Sequence, residues 1–206
     1  MSIRAIKART VVVCALGTLF LFVFICVAQS YCTRYQAVCL SVALQKLTVG
    51  VTTEEQARDI FHHFHAEEQP VGGRVLDNIA WGPEYVASNH GLSILHLAQP
   101  TRFYISVMFS KGIVVRTVAG LRVARTGRCC VFEVDESTKD FRDLPSDAMS
   151  RGIYIRQEDG LARVYVDNET FRGARRDVFN FNAACLTSIS GCTKLEQVLP
   201  HIRDTE

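Results

Sequence analysis

TVVVCALGTLFLFVFICVA, Thr10 to Ala28, decides how the rest of the chain is read. Nineteen residues pass without a charge, and nearly all are Val, Leu, Phe, Ile, Ala or Cys. At ~1.5 Å per residue a helix of this length covers about 28 Å, close to the ~30 Å hydrocarbon core of a bilayer. In water it would expose apolar surface on every side, whereas in lipid a helix satisfies its own backbone groups. The stretch is expected to be a transmembrane anchor, with the lipid bilayer as its first partner.

The flanks orient it. Arg4, Lys7 and Arg9 precede the run with no acidic residue among them, and the first charge after it is Arg34. This asymmetry predicts a cytoplasmic N-terminus and a C-terminal domain that is periplasmic or extracellular. The competing reading is a cleaved secretory signal, cut at Cys26-Val27-Ala28 or Ala28-Gln29-Ser30. The run is longer than an ordinary signal core, which favours the retained anchor. The residues before Cys26 and Cys32 do not form a lipidation motif. Either way the domain is exported. The expected organisation is a basic flank over 1–9, an anchor over 10–30, a helical stalk over 31–45 and an α+β domain over 46–206.

The chain has 206 residues and a net charge of +2. Arg4, Lys7 and Arg9 supply +3 of that, leaving about −1 for the remainder, with no electrostatic footprint for nucleic acid. Cys14 and Cys26 fall inside the apolar run. Cys32, Cys39, Cys129, Cys130, Cys185 and Cys192 lie beyond it, an even number on the oxidising side. Their spacings do not match zinc patterns, so disulfides are the expected use. Cys32 and Cys39, two helical turns apart, are too distant to bond each other. Cys185 and Cys192 can meet if Ser190-Gly191 breaks the helix between them; otherwise each pairs elsewhere, with Cys39 or Cys130 as candidates.

Hydrophobic periodicity supplies the elements. Thr52 and Glu55 have capping-box spacing, and Ala57, Ile60, Phe61 and Phe64 follow at i, i+3, i+4, i+7, which predicts a helix from about Thr53 to His65. Strands are expected over Leu92–Ala98, Arg102–Phe109, Ile113–Val123 and Arg128–Asp135, the second and third joined through Ser110-Lys111-Gly112. In the last, Cys130, Phe132 and Val134 point inward while Glu133 and Asp135 point out. A further hairpin joins Gly152–Gln157 to Leu161–Asp167. A helix is expected from Ala174 to about Ser188, then a short turn over Lys194–Leu199. Helix, antiparallel strands, helix is an α+β order.

Candidate chemistry is sparse. His62, His63 and His65 suggest metal, with His90, His96 or His201 to complete a site, but His62, His63 and His65 flank the apolar Phe61 and Phe64 and so belong to a solvated helix face. Cys185 or Cys130 as a nucleophile would have to stay reduced in an oxidising space. No nucleophile elbow or phosphate-cradling loop is present, and no cofactor is implied. Asn168-Glu169-Thr170 fits a glycosylation sequon. Arg172, Arg175 and Arg176 form a basic cluster, read as a solvated helix start that touches lipid headgroups if it faces the membrane.

Leu47-Thr-Val-Gly50-Val-Thr52-Thr-Glu-Glu55-Gln-Ala57 resembles the L-x-V-G-M-T-x-E-E-V opening of BamE-like (SmpA/OmlA) domains. The resemblance implies a small envelope protein whose helix pair packs on an antiparallel sheet; the lipidated cysteine usual in that family is absent here. The tail from Phe179 to Cys192, with Cys185-Leu-Thr187 and Gly191-Cys192, is similar to that of uncharacterised bacterial proteins with one N-terminal membrane helix. That similarity implies no activity. The leading expectation is a non-enzymatic, membrane-anchored envelope protein whose domain binds another envelope protein. The rival is an exported enzyme or metal-binding module built on the His62, His63 and His65 region with a cysteine or carboxylate.

Overall fold

Helix α1 (Ile3–Lys46) changes its role halfway along. The computed structural model describes residues 3–64, 68–69, 80–125, 128–138, 147–148, 153–158, 160–167, 170, 172–188 and 191–202. From Val11 to Ile25 the helix is exposed except at Val23, and it is long and apolar enough to cross a membrane. From Cys26 onward it shows two faces. Cys26, Ser30, Thr33, Ala37, Leu40, Ser41 and Leu44 are buried at helical spacing, and Leu47 continues the line. The 31–45 segment is therefore not a free stalk. It is the central helix of the domain, and its small residues let it lie close on the sheet.

The remaining elements are helix α2 (Glu54–His63), strands β1 (Glu68–Gln69) and β2 (Ala80–Asn89), and helix α3 (Gly91–Ile94). Then come β3 (Thr101–Ser110), β4 (Ile113–Arg125), β5 (Arg128–Ser137), β6 (Asp147–Ala148), β7 (Ile153–Glu158) and β8 (Leu161–Asp167). Helices α4 (Arg172–Val178) and α5 (Leu195–Val198) flank a 3-10 turn over Ala183–Leu186. The described strands form one sheet in the order β1-β2-β3-β4-β5-β8-β7-β6. The class is α+β, as expected, with one addition: β5 and β8 pair in parallel inside an otherwise antiparallel sheet.

One face of the sheet carries the core. Phe103, Ile105, Val107, Val114, Ala119, Leu121, Val134 and Val164 alternate along their strands and meet α1, α2 and the C-terminal helices. Phe61 is fully buried and stacks on Tyr85 with ring centroids 3.9 Å apart. The β3–β4 hairpin turns on Lys111 and Gly112, both at positive φ (51° and 73°), as a two-residue turn of matching twist requires.

Three local expectations shift. The cap of α2 is Thr53 with Gln56, one residue later than expected; the Thr52 hydroxyl instead accepts from Thr48 N at 2.8 Å. Leu92–Ala98 is not a strand. Its backbone winds into α3 because Gln29 and Ser30 of α1 accept the N–H groups of Gly91 (2.6 Å) and Leu92 (3.1 Å). The strand in this region is β2, which no expectation covered; its Gly82-Pro83 sits at a register shift between Trp81 and Glu84, where a ladder tolerates proline. The helix expected over Ala174–Ser188 ends at Val178. Asn182 is extended and caps the 3-10 turn through Ala184 N (3.1 Å).

Candidate functional site

Among the described residues, polar or reactive groups concentrate in several regions. The first is the tail. Cys185 and Cys192 form a disulfide with Cα atoms 5.3 Å apart, the local bond that a broken helix allows. Gly191, at φ 66°, turns the chain between them. The bond occupies Cys185, which removes it as a nucleophile. Beside it Asn89, 2 % exposed, works as a hub: its amide donates to Leu186 O, and its Oδ1 accepts from Ser30 Oγ at 2.8 Å. One side chain thus ties α1, β2 and the disulfide-bonded tail.

The second region is the outer face of the sheet, where sequence reading placed Glu133 and Asp135. A row of paired residues crosses four strands: Tyr104, Gly120, Glu133 and Arg163. A Cβ at Gly120 would come within 2.6 Å of the Tyr104 ring, so only glycine lets that ring lie across β4 and reach Glu133. Arg163 donates to the same carboxylate through Nε (2.7 Å). Burial first, then the Glu133 carboxylate, push the Tyr104 phenol well above its ordinary value. Arg116 Nε donates to Asp135 at 2.8 Å, and this hydrogen bond raises the guanidinium against the opposing effect of burial. Arg102 pairs with Glu84 at 3.1 Å. Ser106, 7 % exposed, lines a cavity of about 200 Å³, and its hydroxyl finds no hydrogen-bond partner among the described residues. Arg102, Arg116 and Arg163 on this face each pair with a carboxylate, Glu84, Asp135 and Glu133 in turn. Strand alternation could have flagged these rows; that Gly120 makes room for Tyr104 could not be seen before the register was known.

The third region is a groove of about 620 Å³ between α1 and the end of α2, lined by Tyr31, Cys32, Tyr35, Gln36, Cys39, His63 and Phe64. Of the cysteines expected in disulfides, Cys32 is exposed, Cys39 and Cys130 are half-buried, and all three are unbonded. Neither Cys39 nor Cys130 pairs with the tail. The side chain of Cys129 lies outside the described residues, as does His65. His62 and His63 are exposed, as the amphipathic reading required, and His63 shares the groove with Cys32 and Cys39. His90, His96 and His201 are exposed. Among the described residues no three His, Cys, Asp or Glu side chains converge as a metal ion would need. Asn168 and Glu169 of the sequon lie outside the described residues, and Thr170 is buried.

The basic cluster needs correction. Arg175 is not solvated. It forms a two-pronged pair with Glu136, which is 3 % exposed, and donates to Leu47 O (3.0 Å) and Gln45 O (3.4 Å) at the end of α1. A cation there satisfies the terminal carbonyls and the negative end of the helix dipole. Gln45 stands about 28 Å along the axis from Cys26, so Arg175 and the exposed Arg176 sit at the end of the domain remote from the apolar run.

Compared with known proteins, the chain matches no family model, no curated protein and no solved structure.

Proposed function

We propose that this chain is a single-pass envelope protein, N-terminus cytoplasmic and α+β domain on the exported side, whose domain binds another envelope protein rather than turning over a substrate. The observation that carries the reading is the outward face of α1. Tyr31, Tyr35, Val38 and Val42 fall at spacings of four, three and four, and are 65 %, 72 %, 45 % and 40 % exposed. A helix that covers a sheet ordinarily turns charged residues outward. Here the stripe is aromatic and branched, flanked by Arg34 and Gln36, and it runs on from the apolar half of the same helix. Exposed apolar stripes rich in tyrosine are what protein interfaces are made from. Because α1 is both anchor and core, a partner docked on the stripe is held at fixed height above the bilayer. The BamE-like resemblance of Leu47–Ala57, which forms the entry to α2, points to the same compartment.

A photo-crosslinking side chain at Tyr35 in native membranes tests the proposal. The expected product is one discrete adduct, lost when Tyr31 or Val38 is changed to Glu and absent when the probe is moved to Lys111. Adducts of equal yield from both positions would overturn it. The groove that holds His63 beside Cys32 and Cys39 supports the second reading, a metal-binding or enzymatic module. Stoichiometric metal in the purified full-length protein, or one hyper-reactive thiol, would favour that reading instead.

A further inference from the structure

We propose that the segment His90–Ala98 is a second membrane contact: it sits at the lipid interface beside α1, with Ile94 and Leu97 entering the boundary between headgroups and acyl chains. The proposal rests on α1 spanning the bilayer, and three observations carry it beyond that.

The first is depth. The uncharged run starts at Thr10, and the helix meets the domain at Cys26. Residues 10–25 cover only about 24 Å at ~1.5 Å each, short of the ~30 Å core, which would extend to about Ser30. Whatever packs on α1 between Cys26 and Ser30 is therefore level with the edge of the hydrocarbon. That element is α3, preceded by Asn89 at the end of β2, and the chain runs on directly from it into the turn that carries Leu97. Gly91 lies so close that a Cβ would collide with the Cys26 carbonyl oxygen, and Gln29 and Ser30 accept the N–H groups of Gly91 and Leu92.

The second is composition. No Asp, Glu, Lys or Arg occurs from Val86 to Thr101. Ile94 is 61 % exposed and Leu97 47 %, on a turn whose Leu92 and Leu95 are half-buried. Apart from the stripe on α1, few large apolar side chains of the described domain are as open.

The third is the backbone. A segment that leaves water must satisfy its own polar groups. Besides the two N–H groups bonded to α1, those of Ile94 to Ala98 all bond to carbonyls within the segment, at 2.9–3.4 Å. His90 and His96, both exposed, supply polar edges that can stay among the headgroups.

The arrangement would fix the domain's orientation: α1 sets its height, and a second contact beside the helix blocks rotation about the helix axis. The test uses the full-length protein in vesicles made with brominated phosphatidylcholine. Trp81, the one tryptophan, is replaced by Phe, and Ile94→Trp, Leu97→Trp, Phe20→Trp and Val51→Trp are added singly. Emission from Trp at 94 or 97 should fall by about half or more with bromines near the headgroup end of the acyl chain, the ~5–10 Å depth of an interfacial apolar face. Trp at 51, on the remote end, should be unaffected. Trp at 20 reports on the anchor itself and should respond to bromines deep in the chain. If 20 responds while 94 and 97 behave like 51, the second contact is refuted and the anchor stands. If 20 fails to respond, the spanning reading falls and this proposal falls with it. Emission at 94 that shifts with protein density but ignores bromine would assign the patch to a second copy of the chain and also refute the lipid contact.

Discussion

Replacing Arg175 by Met is the sharpest test of how the domain is held together. The Arg175 side chain is 15 % exposed and that of Glu136 4 %, so solvent screening is weak on both sides. Removing the cation leaves a buried carboxylate whose remaining side-chain partner among the described residues is the Thr117 hydroxyl at 3.4 Å, and it frees two carbonyls at the end of α1. Breaking one side of a buried ion pair typically costs ~3–5 kcal/mol, much of it the penalty of the stranded charge. Arg175→Met should lose that much in urea titrations of the full-length protein in detergent micelles, followed by tryptophan fluorescence. Arg176→Met, one residue on and exposed, should stay within about 0.5 kcal/mol. Adding Glu136→Leu to Arg175→Met should recover a large part of the loss, because the stranded charge is gone. If Arg175→Met and Arg176→Met lose equally little, the cluster is solvated and the account of the domain's remote end is wrong.

Phe61→Ala should cost ~3–5 kcal/mol, since the ring is fully buried against Tyr85, whereas His63→Ala on the open side of α2 should cost within about 0.5 kcal/mol; equal losses in the same titration would mean the helix face is misread. Peptide mapping of unreduced protein should recover Cys185 linked to Cys192, and reduction should lower stability by only ~2.5 kcal/mol in the chain-entropy model because the closed loop is short. The Tyr104 phenol is raised in the folded state by burial and by Glu133, so its contribution is complete below the ordinary value of about 10 and is lost as pH rises beyond it. Stability should therefore fall above about pH 10, and less steeply in Tyr104→Phe than in the parent; equal slopes would show that the phenol is not held protonated.

The elements legible in the sequence are those whose signal is local. A charge-free run declares a helix that can span a bilayer, alternation declares β3, β4, β5, β7 and β8, and an i, i+3, i+4, i+7 pattern declares α2. The Cys185–Cys192 bond was one of the pairings the sequence allowed, beside Cys39 or Cys130; the fold decides it, by ending α4 at Val178 and winding Cys185 into a 3-10 turn within reach of Cys192. What only the tertiary structure decided rests on contacts between residues far apart in the chain. The small residues Ser30, Thr33 and Ala37 look like an ordinary extension of the anchor until β2 and α3 pack on them. Leu92–Ala98 reads as a short strand-like apolar run, but two side chains of α1 accept the N–H groups of Gly91 and Leu92 and wind it into a turn. Arg175 reads as a surface charge because nothing near it in sequence shows that Glu136 and the end of α1 converge there. Local pattern fixes which conformation a segment prefers in isolation; where a segment lies, and which charges are buried, depends on partners that only the folded chain brings together.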